Sequence, residues 1–244
     1  MSSSFLNSPD RGLVSIVLPT FNERENIETT INRIFLSIPA PVEVIIVDDN
    51  SPDQTWHFVS ELKDERIVLI RRAHTRGLAS AFLRGIMEAR GSIIGWMDAD
   101  TCMPPEELPP MIEKLSDHDM VIGSRYAPGG SDNRHKLRVT ASRLINGFAG
   151  IVLGYGIKDY DSGFVVVRRS IFDRAIPIPT GYGEYFIEFV YHCCARGARV
   201  YEHPYHFTDR VYGVSKSFPS LLGFLLLGSK YVLRIITARL NGAD

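Results

Sequence analysis

Cysteine is scarce in this chain, which has three among 244 residues: Cys102, Cys193 and Cys194. An odd number without framework spacing argues against a disulfide-stabilised secreted domain, so we expect a reducing, cytosolic compartment. The opening residues, MSSSFLNSPDRG, contain no apolar segment, and we therefore expect no signal peptide. No run of about twenty uninterrupted apolar residues occurs, so we also expect no membrane-spanning helix.

An excess of either charge is also missing, because the formal net charge is -1. Nucleic-acid-binding domains usually carry a basic excess, so we expect no nucleic-acid partner and only local anion-binding sites. The chain lacks G-x-x-x-x-G-K-S/T, and it lacks G-x-G-x-x-G after the first predicted strand, which argues against a P-loop NTPase and a Rossmann dehydrogenase. The composition that remains, 45% hydrophobic and 23% charged, is that of an ordinary soluble domain with a sizeable core.

Short apolar segments alternate with helical patterns along much of the chain. The segments typical of strands are 13–18, the start of 42–53, 66–72, 92–97 and 119–125. Apolar residues at helical spacing lie between them, and a further apolar-periodic helix is predicted at 139–153. This alternation predicts βαβ units, and hence an α/β fold with a mostly parallel sheet that the second half of the chain extends.

Acidic residues follow three of these predicted strands. Glu23 follows the first, Asp48 and Asp49 follow the second, and Asp98 and Asp100 follow the fourth. Ligands of open parallel sheets bind beyond the carboxyl ends of the strands. We therefore expect these side chains to converge on one edge of the sheet.

The stretch GWMDAD ends an apolar run in two carboxylates, Asp98 and Asp100, one residue apart. Such a pair can supply oxygen ligands to Mg²⁺ or Mn²⁺, which also accept phosphate oxygens and retain waters. A cation held there would neutralise a diphosphate leaving group. The alternative is that the two acids only cap the next helix or lie in a solvated turn, but convergence of the acid-tipped strands favours the metal site.

Seven motifs in order indicate a family. They are LPTFNERENI (18–27), VDDNSPDQT (47–55), RGLASA (76–81), MDADTCMPPEEL (97–108), GSRY (123–126), DYDSGF (159–164) and DRVYGVSK (209–216). Together they resemble the dolichol-phosphate mannosyltransferases and, more broadly, the inverting polyprenyl-phosphate glycosyltransferases. The resemblance covers roughly residues 13–216 and implies a GT-A (Rossmann-like) fold, with a central mostly parallel sheet flanked by helices.

The resemblance also implies roles for individual residues. The donor-binding stretch is matched by Pro19, Phe21 and Glu23, and the positions that hold the base and ribose by Val47 and Asp49. The metal and diphosphate motif is matched by Asp98, Ala99 and Asp100. Basic residues around the donor diphosphate and the acceptor phosphate are matched by Arg125, Arg138, Arg143, Arg210 and Lys216. Those expected to take part in catalysis are Asp100, Arg125, Arg210 and Lys216, with Asp98 and Asp100 as the metal ligands.

Three positions depart from the family pattern. Cys102 stands where a polar residue that can assist the metal is common, and a thiol suits Mg²⁺ poorly, which leaves a third protein ligand open. Phe21 replaces the commoner Tyr, and Ala79 stands where a second Gly is usual. Since Asp98 and Asp100 are intact, we expect activity to survive these changes.

The C-terminal stretch predicts an amphipathic helix. Its narrow polar stripe consists of Ser220, Gly223, Lys230, Arg234, Thr237 and Asn241. We expect a catalytic domain at 1–216 and, at 217–244, a helix that lies in a membrane interface or receives a membrane-embedded partner subunit. The alternative is a helix docked on the core of the domain itself. Glu188, on a preceding predicted helix, either faces the acceptor or is a surface carboxylate.

The function that these expectations imply is metal-dependent inverting transfer of mannose from GDP-mannose to dolichyl or polyprenyl phosphate. The enzyme would act peripherally, on the cytoplasmic face of a membrane. Two alternatives remain open at this point. The same chemistry could use UDP-glucose or another donor, or the chain could be a sugar-nucleotide-binding subunit without turnover of its own.

Overall fold

The computed structural model describes residues 10–209 and 221–242, which form nine strands and seven α-helices. The strands are β1 (Asp10–Thr20), β2 (Val42–Asp48), β3 (Ile67–Arg71), β4 (Gly91–Trp96), β5 (Met120–Ser124), β6 (Ser131–Asp132), β7 (Val165–Arg168), β8 (Val200–Pro204) and β9 (His206–Phe207). The helices are α1 (Ile27–Ser37), α2 (Thr55–Glu61), α3 (Leu78–Glu88), α4 (Leu108–Lys114), α5 (Lys136–Leu153), α6 (Glu184–Ala195) and α7 (Leu221–Asn241). Two short 3₁₀ turns occupy Pro105–Glu107 and Arg169–Asp173.

Seven of the strands form one sheet in the order β3-β2-β1-β4-β7-β5-β8. Every neighbouring pair is parallel except those of β7, which runs antiparallel to both β4 and β5. The predicted α/β fold with a mostly parallel sheet is therefore confirmed, and the second half of the chain extends that sheet as expected. The reversal of β7 had no sequence signal.

The sheet lies between two apolar layers, because its central strands are buried on both faces. All seven residues of β2 are buried, as the nearly continuous Val and Ile of that strand require. Successive residues of β1 alternate between the layers: Val17 packs with α3 and α6, whereas Ile16 and Leu18 pack with α1 and α4. Helices thus flank the sheet on both sides.

Helix α5 begins at Lys136, three residues before the predicted start at 139. The ring Nδ1 of His135 accepts the Leu137 amide at 3.4 Å, which caps the first turn. The buried residues of α5 follow one another at helical spacing and face the domain; they are Ser142, Asn146, Ala149 and Leu153.

Helix α7 docks on the domain through one face and exposes another. Tyr231, Ile235 and Ala238 are buried in the same apolar layer as α6. Arg234, predicted to lie in a polar stripe, pairs with Glu188 of α6 at 2.8 Å, and Glu188 is 12% exposed, so it is not a free surface carboxylate; a role toward the acceptor stays a prediction.

The outward side of α7 remains apolar, with Leu233 62% and Leu240 78% exposed. The helix therefore combines the docked arrangement with an exposed apolar face. Among the described residues no helix is both long and apolar enough to cross a bilayer. The division into 1–216 and 217–244 stays a prediction.

Candidate active site

The acidic residues after β1, β2 and β4 meet at one edge of the sheet, because these three strands are parallel neighbours. They line a cavity of about 250 Å³, hereafter the smaller cavity. Its walls include the predicted site residues Pro19, Phe21, Glu23, Asp49, Asp98, Ala99 and Asp100. Asp48 instead lies fully buried and accepts hydrogen bonds from Thr20 and Ser51, so it joins the ends of two strands.

Asp49 is anchored to the loop that precedes α3. Its carboxylate accepts the Gly77 amide at 2.9 Å and the Arg72 Nε at 2.6 Å. Gly77 has φ of 140°, a conformation that favours glycine and turns its amide toward Asp49. The next wall residue, Arg76, places its guanidinium 4.2 Å from the centroid of the Phe21 ring. One side of the smaller cavity is thus held by charge and by stacking.

Asp98 and Asp100 leave β4 on a short fixed turn. The hydroxyl of Thr30, on α1, donates to the carbonyl of Ala99 at 3.0 Å. The amide of Cys102 donates to Asp100 Oδ1 at 3.2 Å. Asp100 is buried and Asp98 is half-buried, so the turn presents both carboxylates in a fixed position.

A second cavity of about 470 Å³, the larger cavity, shares Asp98 and Asp100 with the first. Besides the carboxylates, its lining contains basic and apolar side chains. Basic side chains come from Arg125, Arg134 and Arg138. Apolar side chains come from α5 and α7, namely Leu144, Ile145, Tyr231 and Val232.

The arginines of the larger cavity are balanced by buried acids. Arg125 is 4% exposed and contacts Asp159 through Nη2 at 2.6 Å and through Nε at 2.9 Å. Burial lowers the pKa of Arg125, but Asp159 and Asp161 outweigh it, so the pKa lies well above the ordinary value and the guanidinium stays charged. Arg134 pairs with Asp132 at 2.6 Å in the same way.

The remaining predicted basic residues separate. Arg138 lines the larger cavity, whereas Arg143 lines a different groove, beside Lys158 and 5.6 Å from the Tyr126 ring centroid. Arg210 and Lys216 lie outside the described residues. Val47 is fully buried in the core and lines neither cavity.

The carboxylates of Asp98 and Asp100 suit a hard divalent cation. Within residues 10–209 and 221–242, no group of three or more His, Cys, Asp and Glu side chains is arranged to hold a metal. Mg²⁺ and Mn²⁺ commonly use one or two carboxylates, with phosphate oxygens and water completing the shell. The donor set therefore fits an ion that arrives with a diphosphate. Cys102 is buried and supports Asp100 through its backbone amide.

Several cavity or anchoring residues were not predicted, among them Arg72, Arg134, Tyr182 and Tyr185. Arg134 lies in the basic stretch NRHKLRVTASR (133–143), which taken alone is typical of a solvated loop and helix face. Tyr182 lines both cavities from the loop before α6. That loop meets α7 closely, since a Cβ on Gly183 would lie 2.2 Å from the Tyr231 hydroxyl. Aromatic residues in GYGEY resemble ordinary core residues, so the sequence offered no distinguishing signal.

Residues 15–175 match the sequence profile of Glycosyl transferase family 2. The chain belongs to this family. The chain is therefore a glycosyltransferase, as the sequence predicted. The two cavities at the carboxyl edge of the sheet form its candidate active site.

Curated relatives of this family-2 chain include three proteins named for mannosyl transfer. Dolichol-phosphate mannosyltransferase of Pyrococcus furiosus is 35% identical over 83% of the chain and 58% of the relative, so the chain spans little more than half of that protein. Polyprenol monophosphomannose synthase of Mycolicibacterium smegmatis is 33% identical over 82% of the chain and 79% of the relative. Undecaprenyl-phosphate mannosyltransferase of Micrococcus luteus is 31% identical over 86% of the chain and 89% of the relative. The predicted resemblance is confirmed.

Among solved structures, glucosyl-3-phosphoglycerate synthase of Mycobacterium tuberculosis superposes with a TM-score of 0.70 at 17% identity, over 93% of this chain and 80% of the other. That crystal structure contains Mn²⁺, uridine diphosphate and glucosyl-3-phosphoglycerate. At this identity the likeness shows the fold alone. It confirms the predicted GT-A-type architecture of the family-2 domain.

Proposed function

We propose that this glycosyltransferase moves mannose from GDP-mannose to a polyprenyl phosphate, with Mg²⁺ or Mn²⁺ at Asp98 and Asp100. The observation that carries the proposal is that one cavity combines three kinds of lining: carboxylates, arginines and an apolar wall on α5 and α7. A lipid phosphate combines an anionic head with an apolar chain, and so matches the arginines and the apolar wall.

The head of the acceptor fits the basic section. Arginine presents a planar set of donors that matches phosphate oxygens. Arg134 and Arg138 line this section, and Ser142 lies beside them with its hydroxyl 3.3 Å from Asp161 Oδ2. Leu144, Ile145 and Val232 then offer an apolar surface for the first isoprene units. Arg210 and Lys216 remain proposed phosphate contacts on the strength of the family resemblance.

The donor fits the smaller cavity. Glu23, Asp49 and Arg76 line it and can bind the base, ribose and phosphates of a nucleotide. Asp98 and Asp100 belong to both cavities, so a diphosphate at this point joins the nucleotide on one side to the sugar on the other. The three relatives named for mannosyl transfer favour mannose as that sugar.

The chemistry needs little proton transfer. An anionic oxygen of the acceptor phosphate attacks the anomeric carbon and forms a new C–O bond, while the bond from that carbon to the diphosphate breaks and GDP leaves with the electron pair. Attack opposite the leaving group inverts the anomeric configuration. A bound cation would neutralise charge on the leaving diphosphate. The side chains of this chain hold and orient both phosphates, and no general base is required.

A membrane surface is the proposed setting, on the cytoplasmic side. Helices α5 and α7, which bound the larger cavity, also expose apolar side chains to solvent: Leu137, Leu144, Ile151, Leu233, Ile236 and Leu240. Lys230 and Arg239 are exposed on α7 and suit anionic headgroups. Replacing Leu233 and Leu240 by Gln should reduce co-sedimentation with anionic liposomes, with Leu36→Gln, an exposed leucine on α1, as the control. Equal sedimentation of all three proteins would contradict the membrane setting and leave a partner subunit as the alternative.

The deciding experiment is label transfer. Purified protein, Mn²⁺, radiolabelled GDP-mannose and a polyprenyl phosphate are mixed, and the organic phase is counted with and without EDTA. Chelator-sensitive label in that phase is the expected result. If label reaches the organic phase only from radiolabelled UDP-glucose, the donor is UDP-glucose instead of GDP-mannose. If GDP-mannose binds but no donor gives transfer, the chain is a subunit without turnover of its own.

A further inference from the structure

The part of the larger cavity next to the paired carboxylates has an aromatic wall. Phe82 of α3 and Tyr185 of α6 both line the cavity, with ring centroids 5.6 Å apart. Trp96, at the end of β4, packs behind them with its ring centroid 6.3 Å from that of Phe82. Aromatic faces commonly line pockets that bind organic ligands, and a few polar groups then fix the ligand's orientation.

Tyr185 has a hydroxyl that the described residues leave unpartnered. The residue is 1% exposed, and its Oη donates no hydrogen bond to any of them. More than nine in ten buried polar groups in proteins are paired, so such a hydroxyl needs an explanation. Trp96 Nε1 lies nearby and can donate toward this oxygen, but an indole N–H only donates and cannot accept the phenolic proton.

The location of Tyr185 suggests what supplies the missing acceptor. Its cavity contains Asp98 and Asp100, where the proposed donor diphosphate is held. Burial and the nearby charge of Asp98 raise the pKa of Tyr185 well above the ordinary value, so the phenol keeps its proton. A sugar attached to that diphosphate extends into the space beside the aromatic wall, and its hydroxyl oxygens are acceptors.

We propose that the Tyr185 hydroxyl donates a hydrogen bond to one hydroxyl of the sugar being transferred and so selects the hexose. This inference rests on the proposed function, because it takes the larger cavity to receive the sugar of a nucleotide donor. It assigns a specificity residue in a stretch, GYGEY, to which the sequence had given no role. A site built to hydrogen-bond a substrate hydroxyl discriminates strongly against analogues that lack it.

The test compares Tyr185→Phe with the wild-type protein in two binding titrations with Mn²⁺, one with GDP-mannose and one with GDP. The substitution keeps the ring and removes only the hydroxyl. Affinity for GDP-mannose should fall about tenfold, near the upper range for one neutral hydrogen bond, whereas affinity for GDP should not change. The melting temperature should not fall, because an unpartnered buried hydroxyl contributes no stability to the free protein.

A series of deoxy donors identifies the partner hydroxyl. GDP-mannose analogues lacking the 2-, 3-, 4- or 6-hydroxyl are titrated into both proteins. One analogue should bind wild-type protein and Tyr185→Phe equally, and the other three should keep the tenfold difference. Tyr201→Phe is the control, because Tyr201 of β8 lies on the other side of the sheet and lines neither cavity. It should bind every ligand as wild-type protein does.

The outcomes separate the two proposals. Equal affinities of wild-type protein and Tyr185→Phe for GDP-mannose, or an equal loss for GDP, would overturn the role of Tyr185 and leave the transferase intact. Binding without turnover by the wild-type protein would overturn the proposed transfer, while the titrations still decide the role of Tyr185. If another sugar nucleotide binds better than GDP-mannose, the titrations of wild-type protein and Tyr185→Phe are repeated with that sugar nucleotide and with its nucleoside diphosphate, and they decide the role of Tyr185 in the same way. Absence of any sugar-nucleotide binding would overturn both.

Discussion

The two cavities of this enzyme are built in different ways. The smaller cavity lies at the ends of β1, β2 and β4, where strand geometry alone brings the acids together. The larger cavity is assembled from loops and helices that are distant in sequence, from Leu78 to Val232. The first is a property of the sheet, and the second depends on how α5, α6 and α7 dock against one another.

Charge is also handled differently on the two sides. The carboxylates shared by both cavities, Asp98 and Asp100, lie on a turn held by backbone contacts. Two arginines of the larger cavity are instead paired with aspartates, Arg125 with Asp159 and Arg134 with Asp132. Removing a carboxylate from the sheet edge should therefore affect chemistry, whereas removing an aspartate that pairs with an arginine of the larger cavity should affect stability. Four substitutions test this contrast.

Asp100→Asn should have the largest effect. The amide oxygen can still accept the Cys102 N–H, but the negative charge that would hold a cation is lost. We expect transfer to fall by at least about a thousandfold, as for loss of a main electrostatic group in an active site. The melting temperature should change little. Label transfer and thermal unfolding are measured on the same preparation.

A surface carboxylate provides the control for that substitution. Asp64 pairs with Arg66 on the surface, away from both cavities, and Asp64→Asn should retain full transfer. Substantial turnover by Asp100→Asn would remove the sheet-edge carboxylates from the mechanism.

Asp159→Asn tests the opposite side of the contrast. It leaves the Arg125 guanidinium, 4% exposed, without its main counter-charge. Breaking a buried ion pair in this way typically costs about 3–5 kcal/mol of unfolding free energy. Urea unfolding gives the value. The double substitution Arg125→Met with Asp159→Leu should recover part of the loss, since both charges are then gone; no recovery would mean that the pair is not the source of the effect.

The sequence predicted the smaller cavity better than the larger one, for a physical reason. Parallel strands place their carboxyl ends together, so acids after β1, β2 and β4 had to meet once those strands were recognised. No comparable rule covers α5. Arg138 and Arg143 are five residues apart, which is about 140° around a helix, and so only Arg138 faces the larger cavity.

The partners of the charged residues were equally hidden in the sequence. DYDSGF was recognised as a motif, but nothing local showed that Asp159 would neutralise Arg125, which lies 34 positions earlier. The polar stripe predicted on α7 included Arg234, whose partner Glu188 belongs to another helix. Such pairings depend on tertiary docking, which periodicity does not encode.

Arg234→Met tests that docking and should have a moderate effect. It removes an ion pair between α7 and α6 in which the side chains are 26% and 12% exposed. We expect a loss of about 1 kcal/mol in unfolding free energy and faster proteolysis within α7. Lys230→Met, at an exposed position of the same helix, is the control. Identical proteolysis of both variants would show that the pair does not secure α7.

Asp161→Asn should have the smallest effect, visible as a change in pH dependence. Burial raises the pKa of Asp161 more than the charge of Arg125 lowers it. Between its unfolded and raised folded pKa values, the folded state binds more protons than the unfolded state does. The unfolding free energy therefore falls as pH rises through this interval, and the substitution should remove that fall. Urea unfolding from pH 4 upward measures the difference; parallel curves would contradict the assigned cause.

The reversed strand β7 has a consequence for how the chain is made. β5 is buried along its whole length, and among the strands of the described residues it pairs only with β7 and β8, both of which follow it in the sequence. A ribosome adds about 5–20 residues per second, so synthesis of the roughly forty residues between β5 and β7 takes several seconds. During that time the first four strands can already form their half of the sheet, while β5 is a nascent apolar segment with no neighbour to receive it.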